Sequence, residues 1–422
     1  MTLPSPIHLF LKGMFFLLPV VGTAIPYGLP LWLCSTAFIA VGLCIFFRDH
    51  QKLSLPAPLL LAAIVILFLW MGISTFWAPS FWGSLKLFTS LITLAVAGTF
   101  LFSLLQSFEI KTLWSFLPPL LWGLVVALIF LLLDIIFKGS LRYALKTGTI
   151  SVIGKYNNLI PYNQGATFLA IMLWPVSGLV YRFKRIFAIL LLTSIPLLLA
   201  QLDCHAAIVS IGVGAFTFAG VYLFRRPALL AGAALVFLTM TASPHLVITF
   251  LDPLKIEEAL PEKAKASYSH RLWIWRYVAH RSFERPLKGW GLDASRDKGF
   301  KQSMLWHSEK FCLDEGLKGD SDNCANESLP LHPHNMALQL WLELGVIGSI
   351  LAGILLALFP ALLAYLPVSR FAKSLSAATY ASSLLIGFVA YGVWQNWWVS
   401  TLLINLALIG CLLKVEFQPS EE

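Results

Sequence analysis

Twelve stretches of mostly apolar residues, each long enough to cross a lipid bilayer, occupy most of this 422-residue sequence. A spanning helix needs about 20 apolar residues, because the hydrocarbon core is about 30 Å thick and a helix rises about 1.5 Å per residue. The predicted spans lie near 9–25, 29–47, 57–77, 82–105, 114–137, 165–182, 186–201, 204–224, 227–250, 336–365, 375–396 and 398–414. The sequence therefore predicts an all-α polytopic membrane protein with about twelve transmembrane helices.

The composition agrees with this interpretation and excludes other classes of protein. Hydrophobic residues make up 58% of the chain and charged residues only 12%, which is about half the charged share of an ordinary globular domain. A soluble core cannot hide so much apolar surface, so a cytosolic enzyme, a disordered chain and a secreted disulfide scaffold are excluded. We therefore expect membrane lipids to surround the protein.

The formal net charge of +9 does not indicate a nucleic-acid partner, because the basic residues form short clusters between apolar runs. Clusters at 182–185, 225–226 and 370–373 fall in alternate loops, whereas short loops of the other set, such as 77–80, carry no Lys or Arg. Cytoplasmic loops are enriched in Lys and Arg. This alternation predicts that both termini lie in the cytoplasm.

The spacing of the spans divides the chain into three parts. Residues 1–250 contain the first nine spans, residues 251–333 form one long outer segment, and residues 334–422 contain the last three spans. A structureless loop as long as 251–333 would be unusual in a compact protein. We therefore expect a folded loop domain there, with an amphipathic helix over 268–285.

The first candidate site lies where the outer segment enters the tenth span. His334 is followed by Asn335, and Gln339 comes about one helical turn later. A His held in one tautomer at the membrane boundary suits a general base near neutral pH. Helix capping and interfacial anchoring explain the same residues equally well. His332 is a competing candidate for the base.

The other candidate sites are cationic. Arg271, Arg276 and Arg281 lie in the predicted amphipathic helix, and an Arg side chain suits bidentate contact with a phosphate. Near the sixth span, Asn163 belongs to a polar stretch over 157–164, and Arg142 with Lys146 belongs to a segment without acidic residues that also contains Lys138 and Lys155. These residues predict a polar, cationic lip on the outer side.

Two cysteines, Cys312 and Cys324, lie in the long outer segment. If that compartment is oxidising, they are the obvious disulfide, and otherwise they are two free thiols. No Cys/His spacing resembles a zinc site, and no phosphate-binding loop of the G-x-x-x-x-G-K type is present. We therefore expect neither a metal ion nor another cofactor.

In order and topology, the motifs resemble those of the O-antigen ligase and Wzy-type polysaccharide polymerase superfamily. The resemblance rests on an S-x-R…W segment, then P-L-x-G-W-G, then H-N-x-x-L-Q-x-x-x-E-x-G-x-x-G entering a helix. These motifs read Ser269, Arg271 and Trp275; Pro286 to Gly291; and His334, Asn335, Leu338, Gln339, Glu343, Gly345 and Gly348.

This resemblance implies a metal-independent, inverting glycosyltransferase with a GT-C-like fold at the periplasmic face of the bacterial inner membrane. The donor would be a glycan on undecaprenyl diphosphate, and the ligase branch would pass it to a sugar hydroxyl of lipid A–core. His334 would take the acceptor proton and Arg271 would bind the donor diphosphate. The cations named above would help to neutralise that diphosphate.

The sequence departs from the superfamily at one position. An S-R-G/A element usually opens the helix that here begins Cys204-His205-Ala206. Either His205 replaces the missing Arg, or a Lys or Arg of 138–155 does so.

Three other functions stay open at this point. A Wzy-type polymerase would use a second lipid-linked glycan as acceptor, and a protein O-oligosaccharyltransferase would use a protein. A lipid-linked glycan transporter would need a similar lipid-facing groove. The outer cations favour an acceptor that is itself phosphorylated, and so favour the ligase.

Overall fold

The computed structural model describes residues 6–47, 53–137, 139–147, 162–202, 204–259, 262–300, 329 and 331–416. In these ranges the backbone forms α-helices and short 3-10 turns, and it contains no β-strand. The predicted all-α class is therefore confirmed. The α-helices are α1 (Pro6–Ala24), α2 (Leu29–Phe46), α3 (Pro58–Ser74), α4 (Phe81–Ser107), α5 (Ile110–Ile136), α6 (Ser140–Thr147), α7 (Asn163–Tyr181), α8 (Arg185–Leu199), α9 (His205–Phe224), α10 (Arg226–Phe250), α11 (Pro253–Ala259), α12 (Glu262–Glu284), α13 (Met336–Tyr365), α14 (Arg370–Val389) and α15 (Asn396–Glu416).

Every predicted span coincides with a helix of the described residues; the three remaining helices are α6, α11 and α12. Ten helices are long and apolar enough to cross a membrane. The other two predicted spans match α8, which is only 15 residues long, and α14, which is less apolar. The chain is thus a polytopic membrane protein, and its orientation stays a prediction.

The centre of the bundle is α7, because every side chain from 165 to 180 is buried. Phe168 on this helix is fully buried, whereas Phe216 on α9 is 81% exposed and would face lipid. Lipid tails are as apolar as the core, so spanning helices associate through close packing rather than through the hydrophobic effect. At Gly165, a Cβ would overlap the Thr23 carbonyl of α1, so this glycine allows the two helices to touch.

The outer amphipathic helix is longer than predicted, since α12 begins at Glu262 rather than at 268 and ends at Glu284. Its buried face includes Ile274 and Val278, which pack with Leu338 and Leu342 of α13. Pro286 follows the helix and cannot continue it. This packing fixes α12 against the start of α13.

The helix α13 is broken at Gly345, whose φ of +67° and ψ of −169° are not helical. The break separates the carbonyls of Leu342 and Glu343 from the N–H groups of Val346 and Ile347, which would be their partners in an uninterrupted helix. The segment 286–291 supplies new partners. The N–H groups of Trp290 and Gly291 donate to Leu342 O and Glu343 O at 2.8 Å, and Val346 and Ile347 donate to Pro286 O at 2.8 Å and Leu287 O at 3.4 Å.

Only glycine fits at the two positions where these backbones cross. Gly289 and Gly345 both have positive φ, and a Cβ on either would meet the backbone of the opposite segment. The left-handed region is open to glycine but costly for other residues. The P-L-x-G-W-G motif is therefore a structural insertion into a broken helix.

We expect the mutation Phe168→Ala to destabilise the bundle much more than Phe216→Ala. Truncation of a fully buried Phe costs about 3–5 kcal/mol in well-packed cores, whereas the exposed ring loses only lipid contact. Thermal unfolding of the two purified variants in the same detergent measures the difference. Equal melting temperatures would show that α7 is not the packing centre.

Candidate active site

The two residues predicted to be catalytic meet at the C-terminal end of α14. His334 Nδ1 lies 2.6 Å from Ala390 O, and Arg271 Nη1 donates to Val389 O at 3.0 Å. The last carbonyls of a helix lack intrahelical partners and lie at the negative end of its dipole. One helix end therefore holds a cation from α12 and an imidazole from the segment before α13.

The bond to Ala390 fixes the tautomer of His334. A carbonyl can only accept, so Nδ1 carries the proton and Nε2 is left as an acceptor. No residue that the structure describes donates a hydrogen bond to Nε2. The backbone of His334 has a φ of +53°, which is uncommon for a residue with a side chain and occurs most often at functional sites. The Nε2 atom of the ring is thus available to accept a proton.

The surroundings of His334 also keep it neutral. Burial lowers the pKa of His334 below its ordinary value, and the positive charges of Arg271 and His270 lower it further, against the opposite effect of the Ala390 carbonyl. Both causes disfavour the charged form. At neutral pH the imidazole is therefore unprotonated at Nε2 and able to take a proton.

Both ring nitrogens of His332 have partners among the described residues, whereas Nε2 of His334 has none. The ring centroid of His332 is 4.3 Å from that of His334, and its Nε2 lies 3.0 Å from the side-chain nitrogen of Gln395. Its Nδ1 accepts from the His334 N–H at 3.3 Å, and Trp397 Nε1 donates to Gln395 Oε1. Burial, followed by the charges of His334, Arg296 and Arg271, lowers the pKa of His332 to about 3. His332 therefore supports the ring of His334 from the side.

The partner that fixes the tautomer differs from the one the sequence predicted, because Asn335 and Gln339 are used elsewhere. Asn335 is the N-cap of α13, and its Oδ1 accepts from the N–H groups of Ala337 and Leu338 at 3.1 Å. Such caps are favoured because the first N–H groups of a helix lack partners. Gln339 Oε1 accepts from Val393 N at 3.0 Å. Capping, an alternative the sequence left open, is the observed contact of Asn335.

Glu343 belongs to the motif that enters α13, but it is not among the predicted site residues. Its carboxylate is fully buried and accepts from Trp394 Nε1 at 2.6 Å, from Asp293 N at 2.8 Å and from Gln339 Nε2 at 3.0 Å. A buried carboxylate is tolerated only when such donors satisfy it. A Glu inside an apolar helix is itself a signal of function, but its donors lie far apart in the sequence.

Asp293 lies next to this carboxylate and is perturbed by it. Burial raises the pKa of Asp293 to about 7, the Glu343 carboxylate raises it as well, and Arg296 opposes them. Arg296 Nε pairs with Asp293 Oδ1 at 3.1 Å. The segment after Gly291 is thus anchored to α13 through the backbone of Asp293, while the Arg296–Asp293 pair lies within the segment.

Two of the cations predicted to bind phosphate, Arg276 and Arg281, make their described contacts with residues of the same segment, 251–333. Arg276 Nη1 donates to Leu251 O at 3.1 Å. Arg281 pairs with Glu284 at 2.7 Å and lies 4.8 Å from the centroid of the Trp290 ring. These contacts hold α12 to neighbouring parts of that segment. Arg271 differs, because its described contact is with α14.

The cationic lip near the sixth span is organised by a buried carboxylate. Asp134 accepts from the N–H groups of Leu141 and Arg142 at 2.8 and 3.0 Å and from the Tyr162 hydroxyl. Arg142 then donates to Ala24 O at 3.2 Å and to Thr23 O at 2.8 Å. This network fixes α6 against the outer end of α1.

The remaining predicted residues lie at helix ends or outside the described parts. Asn163 is the first residue of α7 and His205 the exposed first residue of α9, while Lys146 lies near the end of α6 and its side chain is not described. The predictions outside the described residues concern Lys138, Lys155, Cys312 and Cys324.

Residues around Tyr391 link the two cationic regions, and we call the space between these regions the outer cleft, after its predicted orientation. Burial raises the pKa of Tyr391 above its ordinary value, and Cys204, Tyr27 and Arg271 are all close enough to affect it electrostatically. Arg142 is likewise influenced by Cys204 and Tyr27. Tyr391 therefore lies between Arg271 on one side and the Arg142 network on the other. Among the described residues, no group of three or more His, Cys, Asp and Glu side chains is placed to hold a metal ion.

The sequence model of the O-antigen ligase family matches residues 186–353, which include Arg271, His334 and Glu343. A proposed polysaccharide ligase of Rickettsia conorii is 27% identical over 361 residues, which cover 85% of this chain and 81% of that protein. Over these residues the chain is therefore similar to the O-antigen ligase family.

Two further similar proteins come from the same genus. A proposed polysaccharide ligase of Rickettsia bellii is 29% identical over 278 residues, or 63% of this chain and 62% of that protein. A proposed polysaccharide ligase of Rickettsia typhi is 25% identical over 303 residues, which cover 70% of this chain and 67% of that protein. These comparisons thus show similarity to O-antigen and polysaccharide ligases.

We expect Glu343→Ala to destabilise the protein strongly, because it leaves three buried donors without their acceptor. Each such donor costs about 1–3 kcal/mol. Trp394→Phe removes only one donor and should have a smaller effect. Thermal unfolding in detergent measures both changes. Limited proteolysis measures them as well, through the rate of cleavage in the segment that follows residue 285.

The matched control for this prediction is Glu284→Ala, which removes a surface carboxylate paired with Arg281. Exposed ion pairs contribute about 0–1 kcal/mol, so this variant should unfold close to the wild type. A Glu343→Ala protein as stable as the Glu284→Ala protein would contradict the role of Glu343.

Proposed function

We propose that the protein is a metal-independent, inverting glycosyltransferase that moves a glycan from undecaprenyl diphosphate to a sugar hydroxyl of lipid A–core. The observation that carries this proposal is the pairing of a neutral His334 with Arg271 at one helix end. A proton acceptor beside a fixed cation is what transfer from a diphosphate carrier requires.

In the proposed reaction, His334 Nε2 takes the proton of the acceptor hydroxyl. The acceptor oxygen forms a bond to the anomeric carbon, and the bond from that carbon to the phosphate oxygen breaks. The leaving diphosphate keeps the electron pair, and Arg271 stabilises its charge. In-line attack inverts the configuration of the anomeric carbon, and the proton held on His334 is then released to solvent.

Other residues of the outer cleft would bind the diphosphate or the sugars. Arg142 and His205 are the best supported, because Arg142 borders the same cleft as Arg271 and His205 is exposed at the start of α9. Lys146 lies on α6 with Arg142, and Asn163 is the first residue of α7. Arg276 and Arg281 are less well supported, since their contacts are within the outer element.

The proposed location is the bacterial inner membrane, with the cleft on the periplasmic face. Two features support this location, namely the predicted orientation and the surplus of cations near the cleft. Cations on both sides of the cleft favour an acceptor that carries phosphate, as lipid A–core does.

We expect the wild-type gene to restore a ladder of glycan-bearing lipid A–core in a host that lacks its own ligase. His334→Ala and Arg271→Ala should both abolish the ladder, because one removes the base and the other the charge that stabilises the leaving group. Gel separation of lipopolysaccharide at matched expression provides the measurement. The control is His280→Ala, which changes an exposed His of α12 and should leave the ladder intact.

Each other result of this experiment has a definite meaning. A wild type that produces only lipid-linked polymer would indicate a Wzy-type polymerase. Loss of the ladder in His332→Gln but not in His334→Ala would move the base to His332. Intact ladders in both His334→Ala and Arg271→Ala would exclude the proposed site.

The pH dependence of the rate should report the state of His334. Its pKa lies below the ordinary value of 6.5, so kcat/KM should stay constant through neutral pH and fall only at more acidic pH. Arg271→Gln removes a positive charge that lowers this pKa. The residual activity of that variant should therefore begin to fall at a higher pH than in the wild type. A shift toward lower pH, or none, would show that Arg271 does not act electrostatically on the base.

A further inference from the structure

A second cationic site lies at the opposite end of the bundle from His334. The connection between α9 and α10 meets the connection between α13 and α14 around a cavity of about 380 Å³. Its lining residues are Val221, Arg225, Arg226, Val368, Arg370 and Lys373. Since α14 begins at Arg370 and ends at Val389 beside His334, the length of a spanning helix, about 30 Å, separates the two sites.

Aromatic rings and a carbonyl hold the cations of this cavity in place. The Arg226 guanidinium lies 3.8 Å from the centroid of the Tyr365 ring, and the Arg370 guanidinium 4.3 Å from that of Tyr222. Lys373 Nζ donates to Ala364 O at 3.0 Å. A guanidinium stacked on a ring still presents its N–H edge for bidentate contact with a phosphate. The cations are therefore preorganised for an anion.

The positive charge of the cavity is not neutralised by the described acidic residues. Ion pairs among these residues engage Arg182, Lys255, Arg281 and Arg296, and none engages a cation of the cavity. Arg226 and Arg370 are also the first residues of α10 and α14, so the positive ends of two helix dipoles add to the field. Four cations thus surround a space that contains no described carboxylate.

The edge of this cavity is suited to acyl chains. Val221 and Val368 line it, and Leu223 and Phe224 nearby are 69% and 67% exposed on a surface that would face lipid. An excess of Lys and Arg on one side of a membrane protein is common, but it does not account for a concave site with stacked guanidinium groups and an apolar rim. Both a phosphate and a hydrocarbon chain have complementary surfaces here.

We propose that this cavity binds the phosphate of an anionic phospholipid headgroup, with Arg225, Arg226, Arg370 and Lys373 as its ligands. The site is separate from the outer cleft and does not depend on the proposed reaction. Basic pockets between spanning helices are suited to such headgroups, because each Lys or Arg near the surface adds to the attraction for anionic lipid.

Native mass spectrometry of the purified full-length protein in detergent tests this proposal. Phosphatidylglycerol and cardiolipin are added in separate samples, with phosphatidylcholine as the zwitterionic comparison. We expect anionic lipid to stay bound to the wild type and the bound fraction to fall about tenfold in R226Q/R370Q. The matched control is K184Q/R185Q, which removes two cations of the same end of the bundle outside the cavity and should change binding less than about twofold.

Further measurements separate the possible sources of the phosphate and guard against misfolding. Inorganic phosphate and pyrophosphate are added at millimolar concentration, and displacement of the lipid by either would overturn the lipid assignment in favour of a soluble phosphate. Arg225→Gln changes an exposed side chain and should fold even if the double variant does not; it should weaken lipid binding several-fold. Unchanged binding in Arg225→Gln and in every folded cavity variant, or equal loss in the control pair, would falsify the proposal.

Discussion

The exchange of backbone hydrogen bonds at Gly345 is the constraint on which the outer half of the protein depends. Within a bilayer, N–H and C=O groups find no water, so a broken helix survives only where another segment satisfies them. Residues 286–291 do this for the carbonyls of Leu342 and Glu343 and for the N–H groups that follow the break. Because the inserted segment leads directly from α12, the break also fixes the helix that carries Arg271.

Three parts of the chain converge on the proposed active site through this arrangement. The buried Glu343 carboxylate joins the segment after Gly291 to the turn that contains Trp394, and that turn follows the end of α14. The carbonyls of Val389 and Ala390 then position Arg271 and His334. A rigid support of this kind keeps a general base in one tautomer before the substrate arrives, which lowers the reorganisation needed during reaction.

The distribution of charge gives the two ends of the bundle different chemistry. At the predicted outer end, cations from α6 and α12 lie near a neutral imidazole, and the proposed reaction at a diphosphate rests on this arrangement. At the other end, the cations around the cavity between α9, α10 and α14 lie beside exposed apolar side chains, and no reactive group lines that cavity. Binding rather than catalysis is the chemistry that such a site supports.

The sequence by itself determined the helical spans and the identity of His334 and Arg271 as candidates, because span length and motif spacing are local properties of the chain. It did not show that Ala390 O sets the tautomer, since a backbone carbonyl has no signature in the letters of a sequence. It also left Asn335 open between cap and ligand, and gave no sign that Glu343 is held by Trp394, Gln339 and the Asp293 backbone. These contacts join residues up to 56 positions apart, so only the tertiary packing of α12, α13 and α14 decided them.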